Sequence, residues 1–311
     1  PGNSAAVIVS GPFTITEETI GSTLTLTARD DYDWAPPTRG HEGRPYLDEV
    51  RISVTPEDSV RVGGLISGQA DLIRAVEAQD EAQVRDSGFT VYAPQTNGVN
   101  NHLSLRFRGD VLADIRVRQA LIAGIDRQEV IDVIYTDSYP LATSILSKGA
   151  VGYINTEDAF AFDAKRAERL LDEAGWLPGA GGIREKNGVS LTLVANESAA
   201  QARSFEALTL ISQQLAKIGV DLQILKADAG TAAEAVRDGD RVQLSHAMVA
   251  RADLDVIKSE FYSTNRNTLL NLNYADTSIG DEQLEELLRA VASEPDAEKR
   301  VANSQAVQRY L

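Results

Sequence analysis

The sequence predicts an α/β protein of two lobes, and three observations carry that expectation. Its 311 residues exceed one average domain, which sets a prior of about two. The first hundred residues read as strands and turns, with apolar and polar positions alternating between stretches rich in Pro and Gly. From Leu103 onward the texture changes to amphipathic helices alternating with short apolar runs. Strand, helix and strand joined by short links imply right-handed crossovers and a mostly parallel sheet.

Taken in order, residues 23–27 (TLTLT) and 50–54 (VRISV) alternate as half-buried strands do, and residues 30–50 between them form a charged loop broken by Pro and Gly. Residues 59–66 read as a short helix stopped near Gly68, and residues 70–76 and 89–93 read as strands. Asp114 is placed to cap a helix carrying Val117, Ala120 and Leu121. Asp126 and Glu129 have capping-box spacing for the next one, which runs to about Tyr135. Residues 162–188 hold a complete helix. Asp163 caps it, Ala167, Leu170, Leu171 and Ala174 share one face, and Gly175 ends it before Trp176 and a Pro-Gly loop. Beyond lie strands at 190–195, 220–225 and 242–250, helices at 205–219 and 231–239, and two amphipathic helices from Asp281.

Composition narrows the function classes. A hydrophobic content of 43% with 24% charged residues fits a soluble globular chain. The net charge of −16 argues against nucleic acid and against anionic lipid, which both need clustered Lys and Arg. With no cysteine, disulfides, thiol nucleophiles and Cys-based metal sites are excluded together. No apolar run approaches the roughly 18 residues that span a bilayer, and no signal segment is recognisable. The chain starts at Pro1 and stops inside a helical pattern at QAVQRYL. Both ends read as cut, so the sequence is expected to be a piece of a longer protein.

Several strings then share one order. They are SGPFTI (10–15), DDYDWAPP (30–37), PYLDEVRISV (45–54), VRVGGLISGQADLI (60–73), LADIRVRQALIAGIDRQEVIDVIY (112–135), LATSILS (141–147) and FDAKRAERLLDEAGWLPGAGGIREKNG (162–188). This series resembles the extracellular solute-binding proteins of peptide and nickel ABC importers, family 5. The resemblance implies a periplasmic binding protein type II (cluster C) fragment with two lobes: residues 1–105 as part of the strand-rich first lobe and 106–311 as most of the second ligand-enclosing lobe, its closing strands missing. It also implies capture of an oligopeptide or dipeptide outside the cytoplasmic membrane for delivery to ABC permease subunits. The expected protein is a monomer, secreted or anchored as a lipoprotein, without a cofactor and without catalysis. A binder of a metal chelate, haem or another small solute, and a peptide sensor that does not transport, stay open as alternatives. In the signature strings, Asp114, Asp126, Gly175 and Gly219 serve as caps, and Phe13, Tyr46 and Trp176 are expected to pack on cores.

Two segments are candidates for the solute site. In 94–102 (PQTNGVNNH), Asn97, Gly98 and Asn100 offer amide donors and acceptors on a tight turn. In 248–261 (MVARADLDVIKSEF), which follows a strand, ligands of open α/β sheets bind beyond the strand's carboxyl end. The family resemblance implies an Asp here that holds a peptide's amino terminus, and Asp253 or Asp255 is the candidate. Arg251 is a candidate for a carboxylate. The three histidines, His41, His102 and His246, lack the close spacing of a dedicated metal site, although His102 and His246 lie near the two segments. Nucleophile-elbow, His-Glu-x-x-His and Walker patterns are absent, and residues 178–182 (PGAGG) lack the Lys and Ser/Thr of a phosphate loop.

Overall fold

The computed structural model describes residues 8–38, 40–106, 110–198, 200–236, 238, 240–263 and 281–311. Packing divides the chain into two units, Pro1–Val91 and Tyr92–Leu311. The strand at 98–105 pairs inside the second unit.

In the first unit, β1 (Phe13–Thr19), β2 (Thr23–Ala28) and β3 (Glu49–Ser53) form an antiparallel meander in that order. Helices α1 (Asp58–Ile66) and α2 (Glu81–Asp86) follow, around a small core of Val62, Leu65 and Val84. The strands expected at 70–76 and 89–93 do not form. Their apolar residues Ile73, Val76, Phe89 and Val91 pack on that core from irregular backbone, and Ala75 at φ 59° interrupts any extended run. Burial was legible there, and ladder pairing was not. Tyr46 also departs from expectation: it is 85% exposed and stacks on His41 with ring centroids 4.0 Å apart.

The second unit runs β4 (Gly98–Leu105), α3 (Ile115–Gly124), α4 (Arg127–Ile134), α5 (Ala164–Glu173), β5 (Leu177–Pro178), β6 (Arg184–Lys186), β7 (Val189–Ser190), β8 (Thr192–Asn196), α6 (Ser204–Lys217), β9 (Asp221–Leu225), α7 (Ala229–Ala235), β10 (Leu244–Ala250), α8 (Val256–Phe261), α9 (Glu282–Ser293) and α10 (Ala297–Tyr310). The main sheet has the order β4-β10-β8-β9. Strands β10, β8 and β9 are parallel, as strand–helix–strand spacing predicts, and β4 runs antiparallel along β10. Leu103, Leu105, Leu193, Ala195, Leu222 and Leu244 join a core with Val117, Leu121, Leu171 and Leu215 from α3, α5 and α6. A second core gathers Val99, Leu146, Ile257, Leu288 and Val307, holding α8, α9 and α10 together.

The capping predictions hold, with one rerouting. Asp114, Asp126 and Asp163 accept from the backbone N–H groups of Arg116, Glu129 and Arg166. In α4 the reciprocal half of the box comes from α6: Gln214 Oε1 accepts from the Asp126 N–H at 3.0 Å, and its Nε2 donates to Glu129 Oε2 at 2.6 Å. Helix α5 ends in a Schellman motif, with Trp176 N–H donating to Leu171 O and Gly175 N–H to Asp172 O, both at 2.9 Å, and Gly175 at φ 85°. Helix α6 ends likewise through Val220 to Leu215 and Gly219 to Ala216. The buried Arg184 joins the two ends. Its guanidinium donates to Ile218 O at 2.8 Å and Trp176 O at 2.7 Å, and pairs with Asp172. Asp163→Ala removes one cap of an amphipathic helix and is expected to cost about 1 kcal/mol in urea denaturation. An unchanged midpoint would show that the cap contributes nothing.

Candidate functional site

The two candidate segments meet in the second unit. Ala250 lies opposite Gly98 and Val249 opposite Val99, and the Arg251 N–H donates to the Asn97 carbonyl at 2.9 Å. The junction therefore sits where β4 begins and β10 ends. That is the carboxyl edge of the parallel strand, the place where open α/β sheets receive ligands. Gly98 has φ 120°, and a Cβ there would lie 2.8 Å from Arg251 N and closer still to the Val249 carbonyl. The residue is glycine because the backbones touch.

Loop 144–147 is sewn onto the same edge. Asn100 N–H donates to Ile145 O, and Ser147 N–H donates to Gly98 O at 2.8 Å. The Asn100 amide donates to the carbonyls of Ser144 and Leu146 at 2.8 and 3.0 Å. Asn100 is thus committed to holding backbone. The Oδ1 of Asn97 is enclosed and has no hydrogen-bond partner among the described residues.

Past the strand, Asp253 is occupied. Arg300 on α10 grips it with two bonds, Nη1 to Oδ2 at 3.0 Å and Nη2 to Oδ1 at 2.5 Å, and Oδ1 also accepts from the Asp255 N–H at 2.8 Å. Arg300 holds the Asp253 carboxyl below its usual range, reinforced by that N–H bond. Asp255 precedes α8 without a side-chain capping bond, and its charge acts on Arg300. Arg251 is exposed and its side chain has no partner among the described residues.

Behind the edge lies a buried polar cluster that sequence reasoning only half located. His102 Nδ1 donates to the Asn100 carbonyl at 2.6 Å, and Nε2 reaches Ser104 Oγ at 2.9 Å and Glu260 Oε1 at 3.1 Å. Ser104 donates to the same Glu260 oxygen at 3.0 Å, and Glu260 is 3% exposed. Burial opposes charge on His102, yet the hydrogen bond and charge of Glu260, with the Asn100 carbonyl, hold the imidazole above its usual range. Glu260 had a signal in the sequence: it follows Val256 by four and Ile257 by three, on the apolar side of α8. Ser104 and Glu260 both engage Nε2, which is not the geometry of a nucleophilic triad, where the two partners take opposite ring nitrogens.

His246 lies on the strand paired with β4 and meets Ser204 Oγ through Nδ1 at 2.7 Å, while that hydroxyl accepts from the Ser198 N–H at 3.0 Å. Burial, and then the charge on His102, push its pKa down to about 4. Both histidines are thus held by protein groups. Among the described residues no group of three or more His, Asp or Glu could hold a metal ion. No described helix is long and apolar enough to cross a membrane.

Comparison with known proteins agrees with this architecture. The model of the bacterial extracellular solute-binding proteins, family 5, middle region, matches residues 1–263. The oligopeptide-binding protein AppA of Bacillus subtilis is 25% identical over 224 residues, covering 71% of this chain and 40% of that protein. The dipeptide-binding protein of Escherichia coli is 23% identical over 234 residues, covering 75% of this chain and 41% of that protein. The chain therefore spans about two fifths of the length of these curated relatives. Among solved structures, NikA from Brucella suis in complex with Fe(III)-EDTA superposes with a TM-score of 0.77 at 22% identity, covering 97% of this chain and 60% of that one. AppA of Bacillus subtilis in complex with a nonapeptide gives 0.74 at 22% identity, covering 96% and 58%. At that identity the superpositions show the fold.

Proposed function

Because the chain belongs to family 5 of the bacterial extracellular solute-binding proteins, we propose that it serves as the extracytoplasmic substrate-binding component of an ABC importer, capturing oligopeptides or dipeptides for uptake. The match over residues 1–263 carries this reading. The relatives named for oligopeptide and dipeptide binding favour peptide over metal chelate as the solute. On this reading residues 1–105 belong to the first lobe and 106–311 supply most of the second. Asn97, Gly98, Asn100, Arg251, Asp253 and Asp255 form the solute-facing strand edge, with Gly98, Asn100 and Asp253 setting its shape. Main-chain groups at a strand end suit a peptide, whose backbone repeats the same donors and acceptors whatever its side chains. The protein works without a cofactor or chemical step, and ABC permease subunits are its partners in the membrane. A bound solute acts by favouring one conformation over another, which is what a permease can read.

Native mass spectrometry of the protein purified from its host tests the solute: retained peptides are expected, and a haem or metal chelate in their place overturns the peptide reading. Deleting the gene separates import from sensing. Loss of peptide uptake is expected, and unchanged uptake would favour a sensor.

A further inference from the structure

The buried cluster behind the strand edge holds donors and acceptors that match only with one particular proton in place. His102 stands on β4 and Glu260 on α8, 158 residues apart in sequence, with Nε2 and Oε1 3.1 Å apart. Nδ1 of the same ring meets the Asn100 carbonyl at 2.6 Å. A carbonyl oxygen can only accept, so the Nδ1 proton is committed there. Nε2 then faces two oxygens. Ser104 Oγ, at 2.9 Å, gives its one hydrogen to Glu260 Oε1 at 3.0 Å, which leaves the carboxylate as the partner of Nε2. The contact between Nε2 and Oε1 therefore needs a proton of its own, and removing it sets two lone pairs face to face. Glu260 is 3% exposed, so little solvent is at hand to relieve that mismatch.

The surrounding groups leave this proton to decide. On β10, which pairs with β4, His246 is the ionisable neighbour, and with its pKa pushed down to about 4 it is neutral above mild acid. Loop 144–147, bonded to Asn100, carries no ionisable side chain. On α8, the Lys258 ammonium lies over the Tyr262 ring, 4.7 Å from its centroid. On α9, behind α8, the Glu285 carboxylate accepts from the Ser263 N–H at 2.7 Å. Glu260 is thus the charge that meets the imidazole. Burial works against a charged ring, and the hydrogen bond and charge of Glu260 overcome it, so the His102 pKa is raised. Position gives the proton its leverage. Residues 251–255 of the strand edge lead directly into α8, and Asn100, whose carbonyl takes the Nδ1 proton, holds loop 144–147 with its amide.

We propose that the His102–Glu260 pair is a proton-operated latch on the solute site: with the proton in place α8 is closed on β4 and segment 251–255 is held, and without it α8 loosens and the solute is released. This rests on the reading of 251–255 as solute-facing and adds a regulation to it. A binding component outside the membrane meets the pH of its surroundings, and this one holds its solute better just below neutrality than in mild base.

Hydrogen exchange of the full-length natural protein, corrected for the intrinsic rate, tests the latch between about pH 6 and about pH 9, either side of the raised histidine. Helix α5, in the other core of the same unit, is the reference. Protection of α8 relative to α5 is expected to fall roughly tenfold or more across that range, the worth of a hydrogen bond to a charged group. Glu260→Gln offers Nε2 an amide N–H that does not titrate, so its ratio is expected to stay level, and His102→Gln is expected to lose the pH dependence too. Retention of a library of random tri- to pentapeptides, read by mass spectrometry, is expected to fall roughly tenfold further in the parent than in Glu260→Gln. That comparison cancels titration of the peptides themselves. A parent ratio that is level with pH, or one that falls equally in both variants, overturns the latch. Equal falls in retention in parent and Glu260→Gln overturn its control of the solute. Retention at neither pH overturns the peptide reading, while the exchange ratio alone still decides the latch.

Discussion

Gly98→Ala destabilises the α/β unit by about 3 kcal/mol or more, the sum expected from a disallowed backbone region and displaced neighbours. The reason is geometric. The residue has φ 120°, and the new Cβ would meet the carbonyl of Val249, the N–H of Arg251 and the Cα of Ala250. All three are backbone atoms, so no side chain can rotate away to make room. Either the β4–β10 ladder parts at its end, or Gly98 changes conformation and releases Ser147, whose N–H it accepts. Gly149→Ala in the same unit is the control, because its Cβ would meet only the Gln95 side chain at ordinary distances, and a change within about 1 kcal/mol is expected. Urea denaturation followed by tryptophan fluorescence measures both. Trp34→Phe leaves Trp176, the other of the chain's two tryptophans, as sole reporter of this unit. Equal costs for the two alanines would remove the argument that Gly98 is required by contact.

The second large effect is a loss of stability in mild acid. His246 is 9% exposed and has its pKa pushed down to about 4, against about 6.5 in an unfolded chain. The folded protein keeps it neutral, so the unfolded state binds the extra proton. Stability from this group is complete above pH 6.5 and is lost as pH falls from there to about 4, by about 3 kcal/mol. His102 works in the opposite direction. Its pKa is raised, so its contribution is present below the unfolded value and fades as pH rises through the folded one. His246→Asn keeps an acceptor for Ser204 and cannot titrate, so it should flatten the acid slope. His102→Asn should flatten the slope near neutrality instead. An acid slope identical in His246→Asn and the parent would assign the loss to carboxylates.

What could be read in advance followed the reach of the interactions involved. The helices α3 to α6 were legible because their caps and stops are local: Asp114, Asp126, Asp163, Gly175 and Gly219 act within a turn of their own position. The parallel strands were legible as apolar runs between them. Residues 70–76 and 89–93 were not, since the same apolar pattern can be satisfied by packing on α1 and α2 without pairing. The meeting of 94–102 with 248–255 could be suspected from position, but not the Asp253–Arg300 pair, whose partners are 47 residues apart. That one contact divides the charged candidates into spoken-for and available. Likewise, Glu260 could be placed on the inner side of α8, while its bonds with His102 and Ser104 span more than 150 residues.

Arg184 gives the signature at residues 162–188 a different standing. One side chain closes bonds on the stop of α5 and the stop of α6, and its own N–H donates to Gly219 O while its carbonyl accepts from Leu191. The segments carrying AGW, GIR and the later IGV are therefore grammatically one word, spelled across residues 174–220. Replacing either helix stop alone leaves part of the Arg184 hydrogen bonding unmet, so a change in one segment is felt at the other.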